Sequence, residues 1–140
     1  MRTLLLPALL ICSVAAAQEH PLPVPTRERP YDVAPRFPGG SDAMLRYFAD
    51  SCRYPVEAWE KRKEGVVLAT TGVDRRGRID SVRIVNGVPG APGLAREAER
   101  LLKTMPRWEP ATKDGRRVPA EYHLSVPFDR KRCRAPDARP

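Results

Sequence analysis

Val118-Pro119-Ala120-Glu121-Tyr122-His123-Leu124-Ser125-Val126-Pro127-Phe128, near the end of the chain, decides the fold. Read in twos, Val118, Ala120, Tyr122, Leu124, Val126 and Phe128 fall on one side. Pro119, Glu121, His123, Ser125 and Pro127 fall on the other. Alternation sustained this long predicts a half-buried β-strand. Proline has no N–H to give to a ladder, so two prolines on one face place the strand at a sheet edge. An edge strand leaves backbone donors and acceptors unpaired, and it can recruit another chain.

Upstream of this strand, Lys113-Asp114-Gly115 predicts a turn, and Pro106 ends a helix. Leu94, Ala98, Leu101, Leu102 and Met105 recur at offsets of 4, 7, 8 and 11, one apolar stripe of that helix. Earlier still, Gly65 opens a strand with Val67, Ala69, Thr71 and Val73 on one face. Asp74-Arg75-Arg76-Gly77 turns the chain, with glycine where positive φ is needed. Arg78 to Asn86 returns as a second strand. Val82 and Ile84 share a face but Ile79 has the opposite parity, which predicts a bulge near Asp80-Ser81.

Ser41 or Asp42 is a candidate cap for a first helix, with Met44, Leu45 and Phe48 on its apolar face. This helix ends around Ser51-Cys52-Arg53. Pro55 suits the first turn of a short second helix holding Val56, Ala58 and Trp59. The order is helix, helix, strand, strand, helix, strand. A right-handed crossover lets the second and third strands run parallel with the first between them, antiparallel to both. The predicted fold is α+β: a small three-stranded sheet of order 2-1-3 with helices packed on one face.

The first residues have a different purpose. Met1-Arg2 is a basic start, Thr3 to Val14 is apolar, and Ala15-Ala16-Ala17 is small. A secretory signal peptide over 1–17, cut after Ala17, is expected. An uncleaved anchor would need roughly 20 apolar residues. Residues 18–36 are proline-rich and predict an extended linker, with the domain at 37–129 and a basic polar tail at 130–140. Export leaves Cys52 and Cys133 in an oxidising compartment. One disulfide is expected, against the alternative of two thiols too distant to meet.

Lysine and arginine number 25 against 17 acidic residues, a net charge of +8. The basic residues are scattered and no aromatics interleave with them, so single-stranded nucleic acid is not the expected partner. The bland account is a solvated basic surface. Catalytic chemistry is hard to find. His123 is the one histidine of the predicted domain and has no partner for a metal site. Ser125 has no base at motif spacing. Asp74-x-x-Gly77 is turn chemistry. Trp59 and Trp108 suit packing better than a ligand platform. No enzyme, cofactor or metal is expected.

Several short motifs, in order, resemble the TonB C-terminal domain family. They are Phe37-Pro38-Gly39-Gly40; Tyr54-Pro55-x-x-Ala58; Gly65-x-Val67-x-Ala69-x-Thr71-x-Val73-Asp74-x-x-Gly77; Met105-Pro106-x-Trp108-x-Pro110-Ala111; and Gly115 followed by Tyr122-x-Leu124-x-Val126-Pro127. The likeness spans Phe37 to Phe128, and its opening motif is most similar to the energy-transducer branch. The resemblance implies a periplasmic module that grips outer-membrane transporters. Such a transporter offers an extended segment, the TonB box, which adds beside the last strand. Inner-membrane motor proteins then pull through the anchored transducer. The matching positions here are Ala120, Glu121, Tyr122, His123, Leu124, Ser125 and Val126, with Arg53 and Tyr54 near the bound segment. Complete members keep a membrane helix and a long spacer. The linker here, at roughly 3.1 Å per residue, reaches only about 60 Å.

Two functions follow. One is strand capture in energy-coupled transport, where main-chain bonds give affinity and alternate side chains give selectivity. The other is an envelope accessory protein that offers its basic surface to anionic partners. An open edge also allows a strand-exchanged homodimer.

Overall fold

β1 (Gly65–Val73) is the middle strand of the sheet, with β2 (Ile79–Asn86) and β5 (Ala120–Phe128) antiparallel on either side of it. This β2-β1-β5 arrangement is the predicted 2-1-3 order. The computed structural model describes residues 30–136. The expected signal peptide and its Ala17 cleavage point, most of the linker and the end of the tail lie outside the described residues. Val67, Ala69, Thr71 and Val73 of β1 face the helices and are buried, as alternation requires.

Gly72 pairs with Ser81 and Val73 with Ile79, so Asp80 is the extra residue of a bulge. The bulge resets the parity of Ile79 and brings it to the face of Val82, as the sequence predicted. A second register shift leaves Val85 unpaired between Ile84 and Asn86. No sequence signal marked it, because Ile84 and Val85 are both apolar.

The Asp74–Arg78 turn is held from within and from outside. The Asp74 carboxylate accepts the N–H groups of Arg76 (2.7 Å) and Arg78 (2.9 Å). The N–H of Trp108 donates to the carbonyl of Gly77 at 2.8 Å. Gly77 has φ 79°, and a Cβ there would stand 1.9 Å from the Trp108 carbonyl oxygen. Gly77→Ala is therefore expected to cost about 3 kcal/mol, from left-handed strain plus the displaced Trp108 contact. Denaturant unfolding measures it, and a loss below about 1 kcal/mol contradicts this account.

The Arg78 N–H bond holds the Asp74 carboxyl below the usual aspartate value. Desolvation works against it; the Arg76 N–H and the two guanidinium charges add to it. A depressed carboxyl stabilises above its unfolded value, about 3.9, and that contribution is lost as pH falls through the lower folded value. The Arg76 and Arg78 amide signals should titrate together with a midpoint below that unfolded value. A midpoint at or above it removes the explanation.

α1 (Gly40–Ser51) starts one residue before the expected caps. Its N-cap is Gly39 at φ 83°, and no side chain caps it. The Phe37-Pro38-Gly39 turn sets the start, with the Gly40 N–H donating to the Phe37 carbonyl. Of the predicted stripe only Phe48 is buried; Met44 is half-buried and Leu45 remains 44% exposed. α2 (Val56–Glu60) is short. α3 (Pro92–Lys103) buries Leu94, Ala98, Leu101 and Leu102 against β1 and β2.

The last strand begins at Ala120, not Val118. Val118 belongs to a small hairpin, β3 (Ala111–Lys113) with β4 (Arg116–Val118), where it pairs with Ala111. Pro119, lacking an N–H, separates β4 from β5. Three-residue strands are too short to show alternation, so the sequence concealed them. Residues 32–36, read as the end of the linker, lie along this hairpin. Thr112 accepts from Asp32 and Val33 and donates back to Val33, while Arg36 and Glu109 exchange both backbone bonds.

Candidate functional site

β5 pairs with β1 on one side only. Among the described residues no other backbone segment bonds to its outer side. In an antiparallel ladder, successive residues direct their N–H and C=O alternately toward the partner and away from it. Pro127 sits inside β5 opposite Val66, so its missing N–H belongs to the side away from β1. Glu121, His123 and Ser125 have the same parity. Their N–H and C=O groups therefore line the free edge, and those of Ala120, Tyr122, Leu124 and Val126 bond to β1.

The side chains divide equally cleanly. Ala120, Leu124 and Val126 are buried; Tyr122 is half-buried with its ring 5.3 Å from Trp108. Glu121, His123 and Ser125 are exposed on the open face of the sheet. His123 Nδ1 lies 3.0 Å from the Thr70 hydroxyl on β1. This contact orients the imidazole along the sheet.

Arg53 and Tyr54 stand beyond the Phe128 end of β5. The Tyr54 ring is buried edge-on to Phe128 and Trp59, and its hydroxyl donates to the Lys63 carbonyl. Burial, with Glu64 adding to it, raises its phenol above the usual tyrosine value. Its N–H donates to the Arg134 carbonyl, and the Arg53 N–H donates to Glu97. This segment therefore offers a partner the exposed Arg53 side chain rather than backbone donors. Arg134 is held there by a disulfide between Cys52 and Cys133, with Cα atoms 5.3 Å apart. The cystine ties the tail to the end of α1, where Arg134 runs beside Arg53 and Tyr54.

The family model for the Gram-negative bacterial TonB protein C-terminal region matches residues 50–129. The chain belongs to the TonB C-terminal family. The match runs from the last turn of α1 to the residue after β5. Among solved structures, the TonB C-terminal domain of Pseudomonas aeruginosa, determined by solution NMR, is 26% identical. The likeness covers 59% of this chain and 82% of that one, with a TM-score of 0.45. The HasB C-terminal domain is 25% identical, covering 83% and 91%, with a TM-score of 0.38. No curated protein sequence matches.

Within this TonB-type domain, the described residues contain no helix long and apolar enough to cross a membrane and no group of three His, Cys, Asp or Glu suited to a metal. Trp108 is 4% exposed between Phe37 and Tyr122, and Trp59 carries Arg130 at 4.4 Å over its ring. Both pack as the sequence suggested.

Glu97 escaped sequence reasoning. It is 8% exposed and accepts the Arg53 N–H (2.8 Å) and two N–H groups of Arg100 (2.6 and 2.8 Å). Arg100 also donates to the Ser51 carbonyl. The pair thus ties α3 to the end of α1 and sets the position of Arg53. Glu97→Ala is expected to cost about 2 kcal/mol, a broken buried pair discounted for the partial exposure of Arg100. A change under about 0.5 kcal/mol in denaturant unfolding would show the network to be idle.

Proposed function

We propose that this domain captures an extended segment, the TonB box of an outer-membrane receptor, along the free edge of β5 in energy-coupled transport. The observation that carries this reading is the row of outward backbone groups at Glu121, His123 and Ser125 along β5, one of the two open edges of the sheet among the described residues. Family membership supports it. A strand added there gains main-chain bonds from these three residues, and its side chains are read by what flanks the edge. The exposed Arg53 charge stands near the Phe128 end of the added strand. The domain works on the periplasmic side, where the expected export signal would deliver it and where the Cys52–Cys133 bond is stable.

The test is titration of the isotope-labelled protein with a TonB-box peptide. Amide signals from Ala120 to Val126 should move, with β1 following weakly and α3 unmoved. Shifts confined to other surfaces, or none at millimolar peptide, reject the proposal. Strand exchange between two copies would use the same edge. It is recognised by shifts that grow with protein concentration in the absence of peptide.

A further inference from the structure

The face of the sheet turned away from α3 has two ends of different character. Toward the Phe128 end of β5 it is apolar. Val66 and Leu68 of β1 are exposed there, and so is Val85, in the bulge beside the Leu68–Asn86 pair. Toward the Ala120 end it is acidic. Ser81, Gly72 and Glu121 form one row across the three strands. The Asp80 carboxylate and the Ser81 hydroxyl lean over Gly72, where a Cβ would collide with both. Asp80 and Glu121 thus line one hollow of about 590 Å³. The chain has 25 basic and 17 acidic residues, yet among the described residues these two carboxylates enter no ion pair. Arg83, exposed opposite Thr70, pairs with neither.

The entry of the chain points to the occupant. Pro30 and Tyr31 form the rim of the same hollow. Arg27 and Arg29 immediately precede them, after Pro21-Leu22-Pro23-Val24-Pro25. A proline-rich segment favours the polyproline helix, which has about three residues per turn and a rise of about 3.1 Å per residue. That period sets Pro30, Arg27, Val24 and Pro21 on one edge. Measured back from the rim, Arg27 falls about 9 Å away, across the hollow, and Val24 about 19 Å away. Leu68 lies about 13 Å along β1 from Gly72, so Val24 comes level with the apolar end.

We propose that residues 21–29 of this chain dock on the open face of the sheet, with the Arg27 guanidinium against Asp80 and Glu121 and the Val24 side chain on Leu68 and Val66. An exposed ion pair is weak alone, but so short a tether holds its groups at about millimolar effective concentration. The docked segment covers a face of the sheet and leaves the edge of β5 open, so this inference does not depend on strand capture. It fixes where the tether leaves the domain, at the Phe128 end of the sheet.

The test uses the protein expressed with its own leader, recovered from the periplasm and labelled at its methyl groups. Cross-peaks between the Val24 and Leu68 methyls are expected at low salt. Arg27→Glu turns attraction into repulsion and should weaken them about fivefold. Adding Asp80→Lys should recover about half of that loss, since Glu121 still repels the new carboxylate. Val24→Asp should move the Leu68 methyl signals as far as Arg27→Glu does. Leu22→Asp, on another edge of the polyproline helix, should change the cross-peaks by less than about twofold.

The three linker substitutions lie outside the packed core, and unchanged core amide signals verify that the fold is intact. The inference is overturned if Val24 gives no cross-peak to Leu68 or Val66, or if Arg27→Glu leaves the cross-peaks as they were. It is equally overturned if Asp80→Lys restores nothing, or if Leu22→Asp acts as strongly as Arg27→Glu. Cross-peaks seen only between differently labelled copies in a mixed sample assign the face to a second copy and overturn it too.

Discussion

His123→Pro should abolish capture of a receptor peptide and leave the domain folded. The N–H at this position points away from β1, as that of residue 127 must, where proline is already native. Proline at 123 therefore spares the β1–β5 ladder. It removes the central donor of the free edge and sets a ring in the path of the incoming strand. An incoming carbonyl left without its donor, plus the steric block, is expected to lower affinity about a hundredfold. Loss of the Thr70 contact and some backbone adjustment should cost stability about 1 kcal/mol. Leu124→Pro is the counterpart. Its N–H bonds to β1 and its side chain is buried, so proline there should unfold the protein. Peptide titration and thermal unfolding of the two variants together decide the matter. If His123→Pro binds like the parent, the edge is not the site; if it unfolds, the orientation of the β5 backbone is wrong.

Removing the cystine should cost a large share of the stability of the domain. The bond closes a loop with a sequence separation of 81. Chain-entropy reasoning gives about 4 kcal/mol for a loop of that length, a large part of the 5–15 kcal/mol typical of whole domains. Both half-cystines are buried, so Cys52→Ala with Cys133→Ala is the clean substitution. Its unfolding midpoint in denaturant should fall far below that of the oxidised parent. The oxidised parent treated with reductant should match the double variant. A difference under about 1 kcal/mol would show that the tail contributes little to the folded state. The same variant should also expose the Tyr54 N–H as Arg134 leaves it, visible as faster hydrogen exchange at that amide.

Alternation and helical spacing carried most of the architecture because they report burial directly. The parity break at Ile79 even located a bulge, since a residue cannot change faces without an insertion. What stayed hidden depended on contacts between distant residues of the chain. β3 and β4 are three residues each, below the length at which a period can be seen. The clamp of residues 32–36 on Thr112 and Glu109 is backbone to backbone, and so carries no side-chain code. Glu97 looked like one more charge on a helix surface; only the fold brings the Arg53 N–H and Arg100 to it. The open edge of β5 was legible for a specific reason. Pro127 records, in side-chain identity, which direction the backbone of this strand faces.

That clamp also determines how the domain meets mechanical load. Tension applied at residue 30 does not peel the chain from its first helix. It passes through the paired strands at Thr112 and Glu109 into the β3–β4 ribbon, and from there across a single residue, Pro119, to the head of β5. Were a segment captured along β5 as proposed, a pull along the strand axis would load it in shear, so that its hydrogen bonds would fail together instead of one at a time.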